Sequence, residues 1–522
     1  MVGHLRICIR NAYDGTPQVF YPVVVIGAGP SGIATACRLK QKCGFDQFRI
    51  FDRQDGIGGT WWANRYPGVV SRRSQDILPT VFYSFSFAPN YHSRTIFPTG
   101  REYVEYLHSV AERAELIDKI QLNTEVISME WIEQDAEWEL WICHRNPERE
   151  TGTTEEQSTS HHGKREEVIR AKVVISAVGI LSKPNEWPAD VPNRDAFDGQ
   201  ILHSSQWPVE SDLDEKDIVL VGSACSAAQI APALLRSNIK SLTHIIRTPP
   251  WFVPRMEEPG GEAAYAKWAP WIYSTIPGLG FLREHVRLRQ QAEASCLAHM
   301  RALAPAKYHA MLTPTYSLGS RRRIFDNNWL KSMSDPRYTL TNRSLLSVQG
   351  TEVTVGSKEP NPPEEPDVYH ADVLILATGF NATPFLQSVA VHGRQGLSMH
   401  GIWATRGGAH AYMGTAMDGF PNFFMIMGPN TFVGHTSAIM SIENNIDYVL
   451  RLIQPVLRGD VESLEPKATA VQSWLHDIRR DMKDTLFEGC PSWYNGNGAY
   501  NSVMYPLSNA FTTVPIVWIT RQ

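Results

Sequence analysis

No CxxC pair occurs in these 522 residues, and the seven cysteines are scattered and odd in number. That pattern excludes a disulfide framework or a zinc ribbon and predicts reduced thiols in an intracellular protein, with no metal site. No stretch reaches the roughly 18 apolar residues that a membrane span needs. The most apolar segment, 271–282, is broken by Pro277 and glycines. A signal-peptide core is missing too, because Arg6 and Arg10 interrupt the short apolar N-terminus. These absences predict a cytoplasmic chain without a membrane span. There is no basic excess: 49 Lys+Arg against 54 Asp+Glu leave a net charge of −5, which argues against nucleic acid as a partner. What is present is ordinary globular composition, 43% hydrophobic and 20% charged. At about 150 residues per domain the length suggests two to four domains.

Two segments read as strand, glycine turn, helix. The first is Val23-Val24-Val25-Ile26 followed by Gly27-Ala28-Gly29-Pro30-Ser31-Gly32 and a helical pattern over 33–41. The second is Ile218-Val219-Leu220-Val221 followed by Gly222-Ser223-Ala224-Cys225-Ser226-Ala227 and a helix to about Arg236. Unbroken β-branched runs suit strands buried on both faces of a parallel sheet. Two more buried strands, 173–176 and 373–376, each end at a small-residue turn. Polar stretches at 147–167 and 359–366 read as loops, and 261–312 as largely helical with breaks at Pro270 and Pro277. Beyond the paired glycine turns there is no internal repeat.

In the first turn Gly27 permits the tight bend, Gly29 the approach of a pyrophosphate to the backbone, and Gly32 close helix–strand packing. The helix N-terminus offers N–H donors and positive dipole to the phosphates. Asp52, 20 residues beyond Gly32 and ending the run Phe48-Arg49-Ile50-Phe51, suits a ribose diol. This unit therefore predicts a dinucleotide site. In the second turn Ala224 replaces the middle glycine, and its Cβ crowds the pyrophosphate; Ala227 in third place is harmless.

Gly58-Gly59-Thr60-Trp61-Trp62-Ala63-Asn64-Arg65-Tyr66-Pro67-Gly68 resembles the GGTWxxNRYPG segment of FAD-dependent class B monooxygenases. Phe197-Asp198-Gly199-Gln200-Ile201-Leu202-His203-Ser204-Ser205-Gln206-Trp207-Pro208 resembles the FxGxxxHxxxWP fingerprint of their type I Baeyer–Villiger members. Ile246-Arg247-Thr248-Pro249, Gly319-Ser320-Arg321-Arg322-Arg323, Ala377-Thr378-Gly379-Phe380, Asp418-Gly419-Phe420-Pro421-Asn422, Gly428-Pro429-Asn430-Thr431, Gly434-His435 and Ser492-Trp493-Tyr494 extend the likeness over 22 to about 508, most strongly with fungal members.

The resemblance implies an FAD site at Gly27, Gly29, Gly32, Asp52, Gly59, Thr60, Trp61, Trp62, Ala63, Asp76, Tyr83 and Val126. It implies an NADPH site at Gly222, Ser223, Ser226, Ala227, Arg247, Thr248 and Arg321. In it Arg247 pairs with the 2′-phosphate, His203 and Trp207 lie in the domain linker, and Arg322 is the catalytic arginine. A guanidinium cannot lose its charge, so it suits an anionic oxidant and the anionic adduct that follows. A lone histidine or a triple arginine would otherwise read as a packed side chain or a solvated cluster; only the flanking matches lift them above that.

The pattern breaks at Arg72, where the family carries the aspartate that meets the catalytic arginine. Looping out 72–75 brings Asp76 into that place, with one further extra residue before Tyr83. Another extra segment is expected at 10–22. The expectation is α/β, with two Rossmann-like dinucleotide-binding domains, the second inserted in the first. The boundaries are an N-terminal extension 1–22, an FAD domain over 23–190 and 370–522, and an NADPH domain over 191–369 with a helical insertion at about 256–315. The activity implied is Baeyer–Villiger oxidation of a small-molecule ketone by O2 to an ester or lactone, plausible in secondary metabolism, in a monomer or weak homo-oligomer. An N- or S-oxygenating flavin monooxygenase and a degenerate flavoprotein are the alternatives. The absence of a redox cysteine pair beside a flavin turn argues against a disulfide reductase.

Overall fold

A computed structural model describes residues 5–11, 15–69, 83–90, 98–145, 165–185, 187–188, 190–208, 210–254, 286–326, 328–358, 365–432, 437–483, 485–488, 492, 494 and 500–506. Two sheets organise it. The first runs Ala390–His392, Thr124–Ile132, Glu137–His144, Arg165–Ser176, Pro17–Ile26, Phe48–Phe51, Ile120–Gln121, with Cys8–Asn11 and Phe423–Met425 paired to the two long central strands. The second has five parallel strands in the order Tyr338–Thr341, Ser241–Ile245, Asp217–Val221, Val373–Leu376, Gln200–His203. Each sheet is fed by an antiparallel meander; that of the second domain is Ser344–Gln349, Glu352–Gly356 and Asp367–His370.

The buried β-branched runs sit where parallel packing requires them. Val23, Val24 and Val25 are fully buried, alternate residues facing opposite cores. The helix Pro30–Cys43 covers one face together with Gly100–Arg113 and Ala438–Arg458. Gly100–Arg113 starts at a reciprocal cap: Thr99 Oγ1 accepts from Glu102 N (3.1 Å) and the Glu102 carboxylate accepts from Thr99 N (2.8 Å). Ala438–Arg458 buries Ile439, Ile442, Ile446, Val449, Ile453 and Val456, a stripe at helical spacing. No described helix is long and apolar enough to cross a membrane.

Three expectations shift. The strand at Val23 begins at Pro17, because 17–20 pair with Cys8–Asn11 while 19–21 pair with 169–171; Pro17–Pro22, within the extra segment expected at 10–22, is thus sheet. Residues 165–167 belong to the long strand Arg165–Ser176 rather than to a loop, since Glu166 and Glu167 pair with Cys143 and Ile142. Val373–Leu376 lies in the second sheet, between Asp217–Val221 and Gln200–His203, so the return to the first domain falls after it and not at 370. Of the helical stretch, Val286–Leu303 and the 3-10 turn Ala306–Tyr308 are described; 255–285 lie outside the described residues.

Candidate active site

At the end of Pro17–Ile26 the chain turns through Gly27 (φ +111°), whose N–H donates to Phe51 O at 2.7 Å. A Cβ here would sit 2.6 Å from Ala177 O, and one on Gly32 only 1.8 Å from Gly27 O. Both positions therefore require glycine. Gly29 caps the helix Pro30–Cys43 without any side-chain bond, and its first turn holds no acidic residue. Gly58 N donates to Ala28 O (3.1 Å), and a Cβ on Gly59 would lie 3.0 Å from Gly29 Cα. The two glycine segments thus close on each other around an uncapped helix start, an all-backbone cradle that fits a pyrophosphate. Asp52 is buried beside it. Its carboxylate accepts from Ala28 N (2.6 Å) and Gln54 N (2.8 Å); burial pushes its pKa up while those two donors hold it down.

Beyond Gly59 the short helix Thr60–Ala63 separates its two tryptophans. Trp62 donates to Asp55 Oδ1 (2.6 Å) and carries the Arg65 guanidinium on its ring at 4.5 Å. Trp61 makes an edge-to-face triangle with Tyr83 and Tyr103, with centroids 5.4–5.5 Å apart. Among the described residues the buried Tyr103 hydroxyl has no hydrogen-bond partner, and burial drives its pKa well above the ordinary phenol range. Val126 lies on the strand that enters beside Asp52, since Thr124 N donates to Asp52 O (2.8 Å). Its side chain packs with Ile26 and Phe51 in the opposite core. Asp76 and the segment 70–82 lie outside the described residues, as do Gly434, His435 and Trp493.

The second turn repeats the first. Gly222 (φ +138°) donates to Ile245 O at 3.0 Å, and a Cβ on it would meet Ala377 O at 2.3 Å. The helix Cys225–Leu234 starts at Ala224, again with no side-chain cap and no acid in its first turn. Ser223 and Ser226 are half-buried at its mouth, and Arg247 is exposed just beyond Ser241–Ile245. The cradle fits an anionic nucleotide, with the exposed Arg247 just beyond it as a cation for a phosphate. Tyr316 joins this segment to the arginines: its hydroxyl donates to Pro249 O (3.1 Å), its carbonyl accepts from Trp251 Nε1 (2.8 Å), and its ring carries the Arg321 guanidinium at 4.7 Å. Arg322, half-buried, leads through Arg323 into Ile324–Phe325, paired in parallel with Phe252–Val253. Burial, then the neighbouring Arg322 cation, lowers the Arg323 pKa. Gly319 lies against Leu486 of the C-terminal third, where a Cβ would be 3.3 Å from its methyl.

The chain leaves the first domain at 183–185 and returns at 379–381, and these two segments form an antiparallel ribbon: Asn185 N donates to Gly379 O (2.9 Å) and Asn381 N to Lys183 O (3.0 Å). His203 is tied to the return segment. Its Nδ1 accepts from Ser205 N (3.2 Å), which leaves the proton on Nε2 to be donated to Thr378 Oγ1 (3.3 Å). Burial lowers its pKa, so the neutral form holds this bond. Trp207 is buried in the core of the second domain.

The match to known proteins agrees with this geometry. Residues 21–265 match the family model described as flavin-binding monooxygenase-like. An uncharacterised monooxygenase of Sinorhizobium fredii is 30% identical over 506 residues, 91% of this chain and 71% of that protein. The chain belongs to the flavin-binding monooxygenase family. A Baeyer–Villiger monooxygenase of Streptomyces coelicolor is 29% identical over 504 residues, 94% of this chain and 89% of that protein. The structure of a Rhodococcus cyclohexanone monooxygenase bound to NADP+ superposes with a TM-score of 0.78 at 25% identity, covering 97% of this chain and 98% of that one. The expected α/β class, the flavin and the nicotinamide nucleotide agree with these relatives.

In this flavin-binding monooxygenase the sequence reading overlooked a clasp between the domains. Tyr66 OH donates to Gln229 Oε1 (2.7 Å), and Gly68 sits so close to the same helix that a Cβ would be 2.3 Å from Gln229 O. Tyr66 and Val69 thereby join the core of the second domain. The signal was available: Tyr66 and Gly68 lie in the segment read only for its flavin contacts, and Gln229 lies one helical turn beyond Cys225.

Proposed function

We propose that this chain is a Baeyer–Villiger-type monooxygenase, with FAD at Gly27–Gly32, Asp52 and Gly59–Ala63, and NADPH at Gly222–Ala227, Arg247, Thr248 and Arg321. The observation that carries the reading is the stitching of the arginine segment to the nucleotide domain through Tyr316, beside Arg247. FAD, when bound, takes the hydride of NADPH and activates O2. The overall balance places one oxygen atom between the carbonyl carbon and the migrating carbon; the other leaves as water, with the hydride from NADPH and a proton from the medium. Arg322 holds a permanent cation where negative charge develops on the attacking oxygen and on the former carbonyl oxygen. Asp76 is its proposed partner. The Trp61–Tyr83–Tyr103 wall excludes water from one side of the flavin cradle. The substrate is a small-molecule ketone, and the enzyme acts in the cytoplasm as a monomer or weak homo-oligomer. The test is product analysis with NADPH and O2 on paired ketone and sulfide substrates. Ester or lactone from the ketone supports the reading. Sulfoxide with no ester overturns it in favour of S-oxygenation. FAD-loaded Arg322→Ala is expected to lose ester formation by about 100-fold or more; retained ester formation removes Arg322 from its role.

A further inference from the structure

Superposing the two glycine turns by their hydrogen bonds sets Gly27 against Gly222, Gly32 against Ala227 and Ile50 against His244. In the first turn Gly32 is indispensable, because any Cβ would lie 1.8 Å from the Gly27 carbonyl oxygen. Ala227 carries that Cβ and is fully buried, so the Gly222 carbonyl cannot occupy the equivalent place. It points instead at the fully buried His244, whose Nε2 lies 2.7 Å from Gly222 O. On the other side of the ring, Nδ1 lies 2.9 Å from Tyr338 OH, and Trp329 stacks on the ring at 5.1 Å. Burial pushes the His244 pKa down to about 4, so the ring is neutral with a single N–H. The carbonyl can only accept, which puts the proton on Nε2 and makes the Tyr338 hydroxyl the donor to Nδ1.

We infer that His244, fixed in one tautomer by Tyr338, is a positioning residue for the nicotinamide nucleotide: it captures the Gly222 carbonyl that Ala227 displaces and so sets the phosphate-binding turn. A trans peptide holds its C=O and the following N–H antiparallel. Fixing the Gly222 carbonyl on His244 therefore aims the Ser223 N–H away from the strand, toward the helix start where a phosphate would lie. The first domain needs no such device, because Gly32 leaves its carbonyl room and Ile50 has nothing to donate. This inference rests on the reading of the second turn as the NADPH site.

The test is binding of NADP+ to the oxidised, FAD-loaded protein by calorimetry, with steady-state kinetics alongside. His244→Ile should weaken NADP+ binding about 5- to 10-fold, the scale of one lost hydrogen bond that leaves a buried carbonyl unpaired. KM for NADPH should rise in step while kcat and FAD content hold. Adding Ala227→Gly to His244→Ile rebuilds the first turn in the second and should restore affinity to within about 2-fold, a rescue that general destabilisation would not show. Tyr338→Phe, which keeps the ring and frees the tautomer, should weaken binding in the same direction and serves if His244→Ile does not fold. Unchanged NADP+ affinity in the single variant, or no rescue in the double, overturns the role of His244. A wild-type protein that binds no NADP+ overturns the nucleotide reading and the inference with it.

Discussion

Replacing Gly32 with alanine would set a methyl carbon 1.8 Å from the Gly27 carbonyl oxygen. Carbon and oxygen not bonded to each other stay more than about 3 Å apart, so the two must separate by more than about 1 Å. The helix cannot back away cheaply, since Ile33 and Ala34 behind it are fully buried in the core with Val23 and Val25. The carbonyl cannot rotate onto a donor either, because Ile50 occupies the place that His244 holds in the second domain. Overpacking of this kind costs about 1–3 kcal/mol. Taken up in the flavin cradle rather than in global unfolding, that corresponds to a roughly 5- to 150-fold loss of FAD affinity. Flavin titration of apoprotein by fluorescence quenching reads the constant directly, and the flavin-to-protein absorbance ratio after purification reads its consequence. Gly32→Ala/Ile50→His should recover part of the loss by importing the second turn's donor. Flavin binding by Gly32→Ala at wild-type affinity would refute the claim that contact with the Gly27 carbonyl dictates glycine at 32.

On the proposed role of Arg247 as the partner of the 2′-phosphate, Arg247→Ala should raise KM for NADPH by about 10- to 100-fold and leave NADH kinetics nearly unchanged; coenzyme-pair kinetics decide it. Tyr66→Phe removes the buried bond to Gln229 and should cost about 1–3 kcal/mol in denaturant unfolding, with FAD retained and flavin reduction by NADPH slowed. His244 gives a pH dependence. Its folded pKa, about 4, lies below the unfolded value of 6.5, so its contribution is complete above pH 6.5 and is lost as pH falls through 4. Between those values the wild type should lose about 3 kcal/mol of unfolding free energy relative to His244→Ile. Parallel stability–pH curves for the two proteins would remove that assignment.

The glycine turns, their flanking strands and the aspartate of the first turn were legible in the sequence because each is a local demand. A Cβ at Gly27 or Gly222 collides with backbone, and Val23–Ile26 and Ile218–Leu220 are buried. Partnership across long separations was not legible. Nothing near Tyr66 announces Gln229, 163 residues on, and nothing near Gly222 announces a histidine supported by Tyr338, 94 residues beyond it. Ala227 was read as harmless because its cost is met by a residue on another strand. The domain boundary at 370 was misplaced for a related reason: the meander Glu352–Gly356, Asp367–His370 runs directly into Val373–Leu376, so composition does not change where the sheet does. The aspartate proposed at 76 stays a sequence reading, since it lies outside the described residues.

The ribbon at 183–185 and 379–381 also bears on how the chain folds. Phe423–Met425 must pair with 174–176, closing a loop of roughly 250 residues, the kind of remote contact that slows β-sheet assembly. Once the inserted domain has formed, its two ends are hydrogen-bonded to each other and the intervening chain no longer counts toward the loop. The remaining closure spans roughly 55 residues and is easier by about 1 kcal/mol in chain entropy. Forming the inserted domain first therefore shortens the closure that completes the first sheet, so the second domain can serve the first as a template for its own completion.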